Sequence, residues 1–384
     1  STQAKTLFPY TTLFRSSGDD PLTRRYRVLP MNLVGRALYH GGRFGEAAVA
    51  LARGCELAAA EVEHAELSHS LGMLGLALGY TGVLGEARAY LERSARLGDE
   101  LGDPVRKLAA LCYMSIEAEL RHDWEQGVIR SAEALAYADE HGIEGLYHTA
   151  SMMFAGRHQF HVGQLSRARL LLEHAIERSR RQRQLLGRTW AHVFLGDVAF
   201  VQGRHDEAMR CYEEGLCAGH DDEYTRALGL VGRAHVRAAT GGDPQAVHAD
   251  ARDALARLEA VDNLACRPHA LLRYADAVET LQGRAAAQPL RDEAVAAFER
   301  LGVAPVDWWP RPPQSADVAG SAKAYWRSRQ RPAELVGGGK VEAVISAALL
   351  RRMTQTLAEE ARTLRGMPMR PPRPAPRRSE ERRV

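Results

Sequence analysis

Hydrophobic and polar positions along this chain repeat on two scales. On the short scale a small apolar residue is followed four positions later by a large one: Ala47 and Leu51, Ala87 and Leu91, Ala168 and Leu172, Ala208 and Tyr212. Residues so spaced share one face of a helix. On the long scale the pattern itself recurs. GRALYHGGRFGEAAVALARG (35–54), GLALGYTGVLGEARAYLERS (75–94), GRHQFHVGQLSRARLLLEHA (156–175) and GDVAFVQGRHDEAMRCYEEG (196–215) each read Gly, six residues, Gly, four residues, Ala. A weaker copy puts Ser115, His122 and Gly127 at the corresponding places, so successive units lie 40, 40, 41 and 40 residues apart.

Physical chemistry turns this period into a fold. A glycine inside a helix costs about 1 kcal/mol relative to alanine, so Gly35, Gly75, Gly156 and Gly196 predict close approach of a second helix to bare backbone. The second glycines, Gly42, Gly82, Gly163 and Gly203, predict the left-handed residue that ends a helix. A short turn and a second helix follow, so each unit is a helical hairpin. A single hairpin cannot bury its own apolar face, and neighbours must stack into a solenoid. Later units are degenerate: 224–260 keeps a hairpin around Gly241, Gly242 and Pro244, and 270–303 keeps one with Gly283 at its turn.

The Gly, Gly, Ala arrangement resembles the tetratricopeptide repeat (TPR) family. The units depart from it in running to about forty residues rather than thirty-four, and most lack the family's tryptophan and terminal proline. The extra length falls in longer second helices and linkers, as in LERSARLGDELGDP (91–104). Long repeats with such linkers look like the C-terminal TPR regions of large bacterial signalling ATPases, in adenylate-cyclase-type proteins and LuxR-type regulators; the resemblance covers residues 24–303. It implies an all-α, right-handed superhelical solenoid of six to seven hairpins over residues 17–303. It also implies a non-catalytic scaffold for a protein or peptide partner, serving as the sensory or interaction fragment of a larger cytoplasmic signalling ATPase. The alternative reading is a stand-alone TPR adaptor.

Composition narrows the function classes. Hydrophobic residues at 45% and charged residues at 26% are those of a folded, soluble protein. The net charge of +3 is local: residues 367–384 carry six Arg and two Glu, leaving about −1 for the rest. A repeat body of that charge argues against a nucleic-acid partner. Five cysteines with no CxxC pair suit a reducing cytoplasm. The longest uncharged apolar stretch, 71–85, is too short and too rich in glycine to span a membrane.

Candidate chemistry is sparse, and no cofactor is expected. VGGGKVEA (336–343) has glycines before Lys340, but Val341 stands where a phosphate-binding loop needs a hydroxyl. His158 and His161 lie three apart on a helix with no third metal ligand near them in sequence, and the acids of HDDE (220–223) suit a helix start. Cys211 and Cys217 fall on a second helix, where cysteine is usually a small core residue. No GxSxG elbow occurs. Catalytic and metal sites are therefore not expected.

What remains is a surface. In TPR arrays the first helix of each hairpin lines a concave groove, and the helix phase assigns to it Arg36, Tyr39, His40, Tyr80, Met153, Arg157, Phe160, His161, Trp190, Asp197, Phe200, Arg233 and Arg237. Arginine interleaved with aromatics suits an extended, carboxylate-bearing peptide. Taken singly, each aromatic reads better as ordinary inter-repeat core; taken as a set, they read as the groove.

The two ends have a different texture. Residues 6–16, TLFPYTTLFRS, resemble the translation of a common sequencing adapter, which makes residues 1–16 an expected laboratory artefact fused to a truncated frame. After Val303 proline and glycine predict a linker over 304–339, then a single helix over 340–366 and a disordered Arg/Pro tail over 367–384, for which out-of-frame translation of GC-rich DNA is the equal alternative reading.

Overall fold

A computed structural model describes residues 21–217 and 223–306. Fourteen helices and no strand occur among them. They pair into seven consecutive hairpins: α1 (Pro21–His40) with α2 (Phe44–Ala60), α3 (His64–Tyr80) with α4 (Leu84–Glu100), α5 (Pro104–Leu120) with α6 (Trp124–Glu140), α7 (Leu146–His161) with α8 (Leu165–Arg181), α9 (Leu185–Val201) with α10 (His205–Cys217), α11 (Glu223–Ala239) with α12 (Pro244–Ala260), and α13 (Arg267–Gln282) with α14 (Arg284–Arg300). The expected artefact over 1–16, the linker from 307 onward, the helix over 340–366 and the tail lie outside the described residues.

The repeated glycines do what the hairpin requires of them. At Gly75 a Cβ would stand 2.9 Å from both the Ala87 carbonyl oxygen and the Leu91 side chain. The large residue four positions after each repeat alanine is thus the one that presses on the preceding helix: Leu51 on Gly35, Leu91 on Gly75, Leu172 on Gly156 and Tyr212 on Gly196. The alanines Ala47, Ala87, Ala168 and Ala208 are fully buried at the crossing. Gly82 is left-handed (φ +88°), and a Cβ there would also meet Leu301 at 2.6 Å. The weak third copy exchanges these parts. Gly127 takes the alanine place because the His158 ring lies 2.5 Å from where its Cβ would be, and His122 takes the left-handed place at φ +60°.

Helix starts are set locally where the sequence supplies a cap. Asp103 accepts hydrogen bonds from the backbone N–H of Val105 and Arg106, both at 3.1 Å, with Pro104 in the first turn. The second Gly-Asp-Pro, at 242–244, repeats the device, with Asp243 accepting from the Gln245 N–H at 3.0 Å.

First helices pack directly on the next first helix along the array, whereas second helices are splayed apart. The first helices therefore form the inner layer. The curvature is tight enough for distant hairpins to meet. The Ala265 N–H, before α13, donates to the Tyr80 carbonyl at the end of α3 (3.1 Å), and the Tyr80 ring approaches Tyr224 on α11 (centroids 5.6 Å apart). His122, after α5, meets His269 on α13 edge-on at 3.8 Å, and both pack on Phe298 of α14 at 5.3 Å. Hairpins 1–3 thus rest against hairpins 6 and 7.

Candidate ligand-binding site on the inner face

Two environments lie on the inner layer, one apolar and one ionic. The apolar one is a cavity of about 90 Å³ whose walls come from the first five hairpins. Tyr39 and His40 end α1, Phe44 starts α2 and Tyr80 ends α3; Cys112, Tyr113 and Ile116 come from mid-α5, Leu146 to Phe154 from the first half of α7, and Gly187 with Trp190 from the start of α9. Phe44 stacks on Tyr80 (4.3 Å), Tyr39 meets Phe44 edge-on (5.6 Å), and Trp190 meets Phe154 edge-on (5.3 Å). Tyr224 joins the two walls by touching Tyr80 at 5.6 Å and Trp190 at 4.8 Å. His40 is the single lining residue with an ionisable base, and it is exposed at the rim together with Leu146. An apolar cavity of about 150 Å³ holds a benzene-sized molecule. This one, open at its rim, has the size of one aliphatic or small aromatic side chain.

The ionic environment is buried beside it. Arg157, fully buried on α7, donates from Nε to Glu119 Oε1 (3.0 Å) and from Nη1 to Asp197, and its guanidinium lies 4.7 Å from the Phe194 ring centre. Asp197 also accepts from the Tyr212 hydroxyl (2.6 Å) and faces Arg273 Nη2 of α13 at 3.2 Å. Arg157 and Asp197 occupy the same place in adjacent repeats, forty residues apart. Burial pushes the Glu119 carboxyl up against the opposing pull of Arg157. His158 and His161 turn their Nε2 atoms towards Glu119 at 3.6 and 3.8 Å. Burial, then Arg157, holds His158 down to about 3 and His161 well below the ordinary imidazole value, so both rings are neutral at pH 7.

The thirteen groove residues read from the sequence divide between these environments. Tyr39, His40, Tyr80, Met153 and Trp190 line the cavity. Arg157 and Asp197 form the buried ion pair, with His161 against Glu119 and stacked on Trp124 at 3.9 Å. Phe160 is buried beside the Arg157 guanidinium, and buried Phe200 lies between His205 and His235. Arg36 pairs with Glu66 of α3 at 2.6 Å. Arg233 grips Asp250 of α12 through two hydrogen bonds at 2.9 and 2.7 Å, and Arg237 pairs with the same carboxylate. Each arginine of the set is thus engaged by an acidic side chain of the chain itself.

Several cavity residues escape the repeat consensus, among them Phe44, Tyr113, Tyr147, Ala150 and Phe154. The reason is geometric. Relative to the repeat glycine, the lining moves from four to nine residues after it in hairpins 1 and 2 to between two and ten before it in hairpins 4 and 5, as the superhelix turns. A fixed consensus position cannot follow that diagonal. A belt of tyrosines and phenylalanines drifting towards the start of each first helix was the available signal.

The remaining sequence candidates are quickly placed. Among the described residues no group of three or more His, Cys, Asp or Glu is arranged to hold a metal ion. Cys211 is buried, and burial pushes its thiol up to about 12; Cys217 is exposed. Glu223 starts α11 and pairs with Arg257, while residues 220–222 and 336–343 lie outside the described residues. No described helix is long and apolar enough to cross a membrane.

Comparison with known proteins supports the fold. No family model matches the chain, and no curated protein matches it. Solved structures do match in shape. One is a Rap protein complexed with competence and sporulation factor, at 14% identity and a TM-score of 0.60, covering 77% of this chain and 81% of that one. Another is the Rap conjugation gene regulator of plasmid pLS20 in complex with its Phr peptide, at 13% identity and a TM-score of 0.63 over 75% of this chain and 78% of that one. The apo form of RapI follows at 13% and 0.54, covering 72% of this chain and 99% of that one. At such identities the likeness shows a shared helical-repeat fold.

Proposed function

We propose that this chain is a non-catalytic scaffold that binds an extended peptide segment of a partner along its inner face. The observation that carries the reading is the aromatic cavity built jointly by five hairpins, on the layer a repeat array leaves for ligands. Of the structures that share its fold, one, described as a conjugation gene regulator, is in complex with the Phr* peptide, and another is complexed with competence and sporulation factor. The anchor of the partner is an uncharged apolar side chain, because the cavity wall is mostly apolar and the neighbouring arginines already hold acids of the chain. Burial of one Leu- or Phe-sized side chain is worth about 1.5–3 kcal/mol, so trimming the anchor to alanine weakens binding about 10- to 150-fold.

The test is selection from a random peptide library on the full chain at pH 7.5, followed by calorimetry. Peptides sharing one bulky apolar residue are expected, and Ala150→Trp, which fills the cavity from half-buried Ala150, abolishes their binding without loss of helix. Binding untouched by that substitution refutes the site.

The long repeats and linkers support a cytoplasmic sensory arm of a larger signalling ATPase as the cellular context. A second reading, a stand-alone adaptor, is favoured by a separate observation: the shared fold spans 78–99% of the matched Rap chains, so most of such a chain is repeat array. Sequencing the source DNA upstream of the codon for Ser17 separates them: a continuing frame with a nucleotide-binding domain supports the first, an adjacent start codon the second.

A further inference from the structure

Part of the contact that closes the array is made of imidazoles. His122 follows α5 in hairpin 3 and meets His269 of hairpin 7 at 3.8 Å, with Phe298 against both. Trp124 continues the layer, stacked on His161 of hairpin 4 at 3.9 Å and 6.0 Å from His269. All three imidazoles are buried. The charged and titratable groups that act on them are Glu119 of α5, Arg157 and His158 of α7 and Arg273 of α13; Asp197 of α9, Tyr212 of α10 and His235 of α11 lie behind these, on Arg157 or Arg273. The two carboxylates are engaged by the two guanidiniums, so the layer is balanced in charge while its imidazoles are neutral.

We infer that this seam is a proton-sensitive clasp: charging its imidazoles parts hairpins 1–3 from hairpins 6 and 7 and removes one wall of the aromatic cavity. The link to the cavity is direct. Tyr80, which lines the cavity, is held to the far hairpins by the Ala265 N–H and by Tyr224, and Tyr224 in turn touches the opposite wall at Trp190. The inference rests on the peptide-binding reading only for its consequence, release of the partner on acidification; the clasp stands on the seam itself.

Direction and window follow from linkage. Burial holds His122 down to about 3 and His269 well below the ordinary value, the latter also through His122, His161, Arg157 and Arg273. In an open array these rings meet water and regain a value near 6.5. The open form therefore binds more protons. Closure is at full strength above about pH 6.5, and below it the closed-to-open ratio falls about tenfold per pH unit for each imidazole exposed, until the closed-form values are reached.

The experiment uses the full chain without any ligand. Hydrogen exchange of the 262–266 segment, which contains the seam amide of Ala265, is followed from pH 7.5 to 5.0 with intrinsic rates corrected. Protection there is expected to fall at least tenfold between pH 6.5 and 5.5, while the amides inside α3 and α4 keep theirs. His122→Asn with His269→Phe, which keeps a residue tolerant of positive φ at 122, is expected to flatten the dependence. Should that variant fail to fold, small-angle scattering of the native chain decides: a radius that grows below pH 6.5 at constant helical circular dichroism supports the clasp. Unchanged protection and radius down to pH 5.0 overturn it, as does simultaneous loss of protection in every helix. A seam that stays shut leaves the peptide reading intact. Absent peptide binding at pH 7.5 with a seam that opens removes that reading alone.

Discussion

Arg157→Met tests the buried ionic layer most directly. Arg157 is fully buried and holds two carboxylates, Glu119 at 3.0 Å and Asp197. The methionine keeps the length of the side chain and removes its charge. Asp197 retains Arg273 at 3.2 Å and the Tyr212 hydroxyl at 2.6 Å, so the damage falls on Glu119, whose guanidinium partner is Arg157. Removing one member of a buried pair costs about 3–5 kcal/mol, because the other charge stays buried without compensation. For a repeat body of this size that is a fall in Tm of about 6–10 °C. The sign of its pH dependence is fixed as well. Burial already raises the Glu119 carboxyl, and loss of Arg157 raises it further, so the folded variant binds a proton more tightly than the unfolded chain. The deficit is therefore small below the unfolded carboxylate value, near 4.3, and grows as pH rises through the neutral range. Thermal melts followed by circular dichroism at pH 5 and pH 8 measure both numbers. Adding Glu119→Gln should restore more than half of the loss at pH 8, since the orphaned charge is then gone. A single variant within 2 °C of the native Tm at pH 8, or a double variant less stable than the single, refutes the argument.

Two further outcomes follow from packing and burial. Gly75→Ala is expected to lower Tm despite alanine's advantage of about 1 kcal/mol in a helix, because its methyl meets a backbone carbonyl at 2.9 Å, whereas Gly85→Ala, with nothing within 4 Å, should raise it; equal effects at the two sites would refute the close-approach account. Titration with a thiol reagent in native buffer at pH 8 should modify Cys217 quickly, while Cys55, Cys112, Cys211 and Cys266, buried with thiols pushed up to about 12, react only in denaturant; fast labelling of two or more thiols would count against that burial.

The hairpin and its repetition were legible in the residue pattern alone. The places of Gly35, Gly75, Gly156 and Gly196, the buried alanines and the residue four beyond each were legible because they obey a local rule: two helices joined by a short turn can cross closely only where one lacks a side chain. The Gly-Asp-Pro segments read only as a linker at 102–104 and a turn at 242–244; that each aspartate caps the following helix came from the structure. What meets across the array emerged with the packed fold. The twist from one hairpin to the next carries the cavity diagonally over the inner layer, so Tyr113 and Ala150 line it although no fixed repeat position contains them, while Arg233 and Arg237 turn to Asp250. It also decided that His122 meets His269, 147 positions later, and that Arg157 meets Asp197 rather than a ligand's carboxylate. A repeat pattern encodes the contact between neighbours. The superhelical curvature is the sum of many small rotations between neighbours, and a consensus position records none of them.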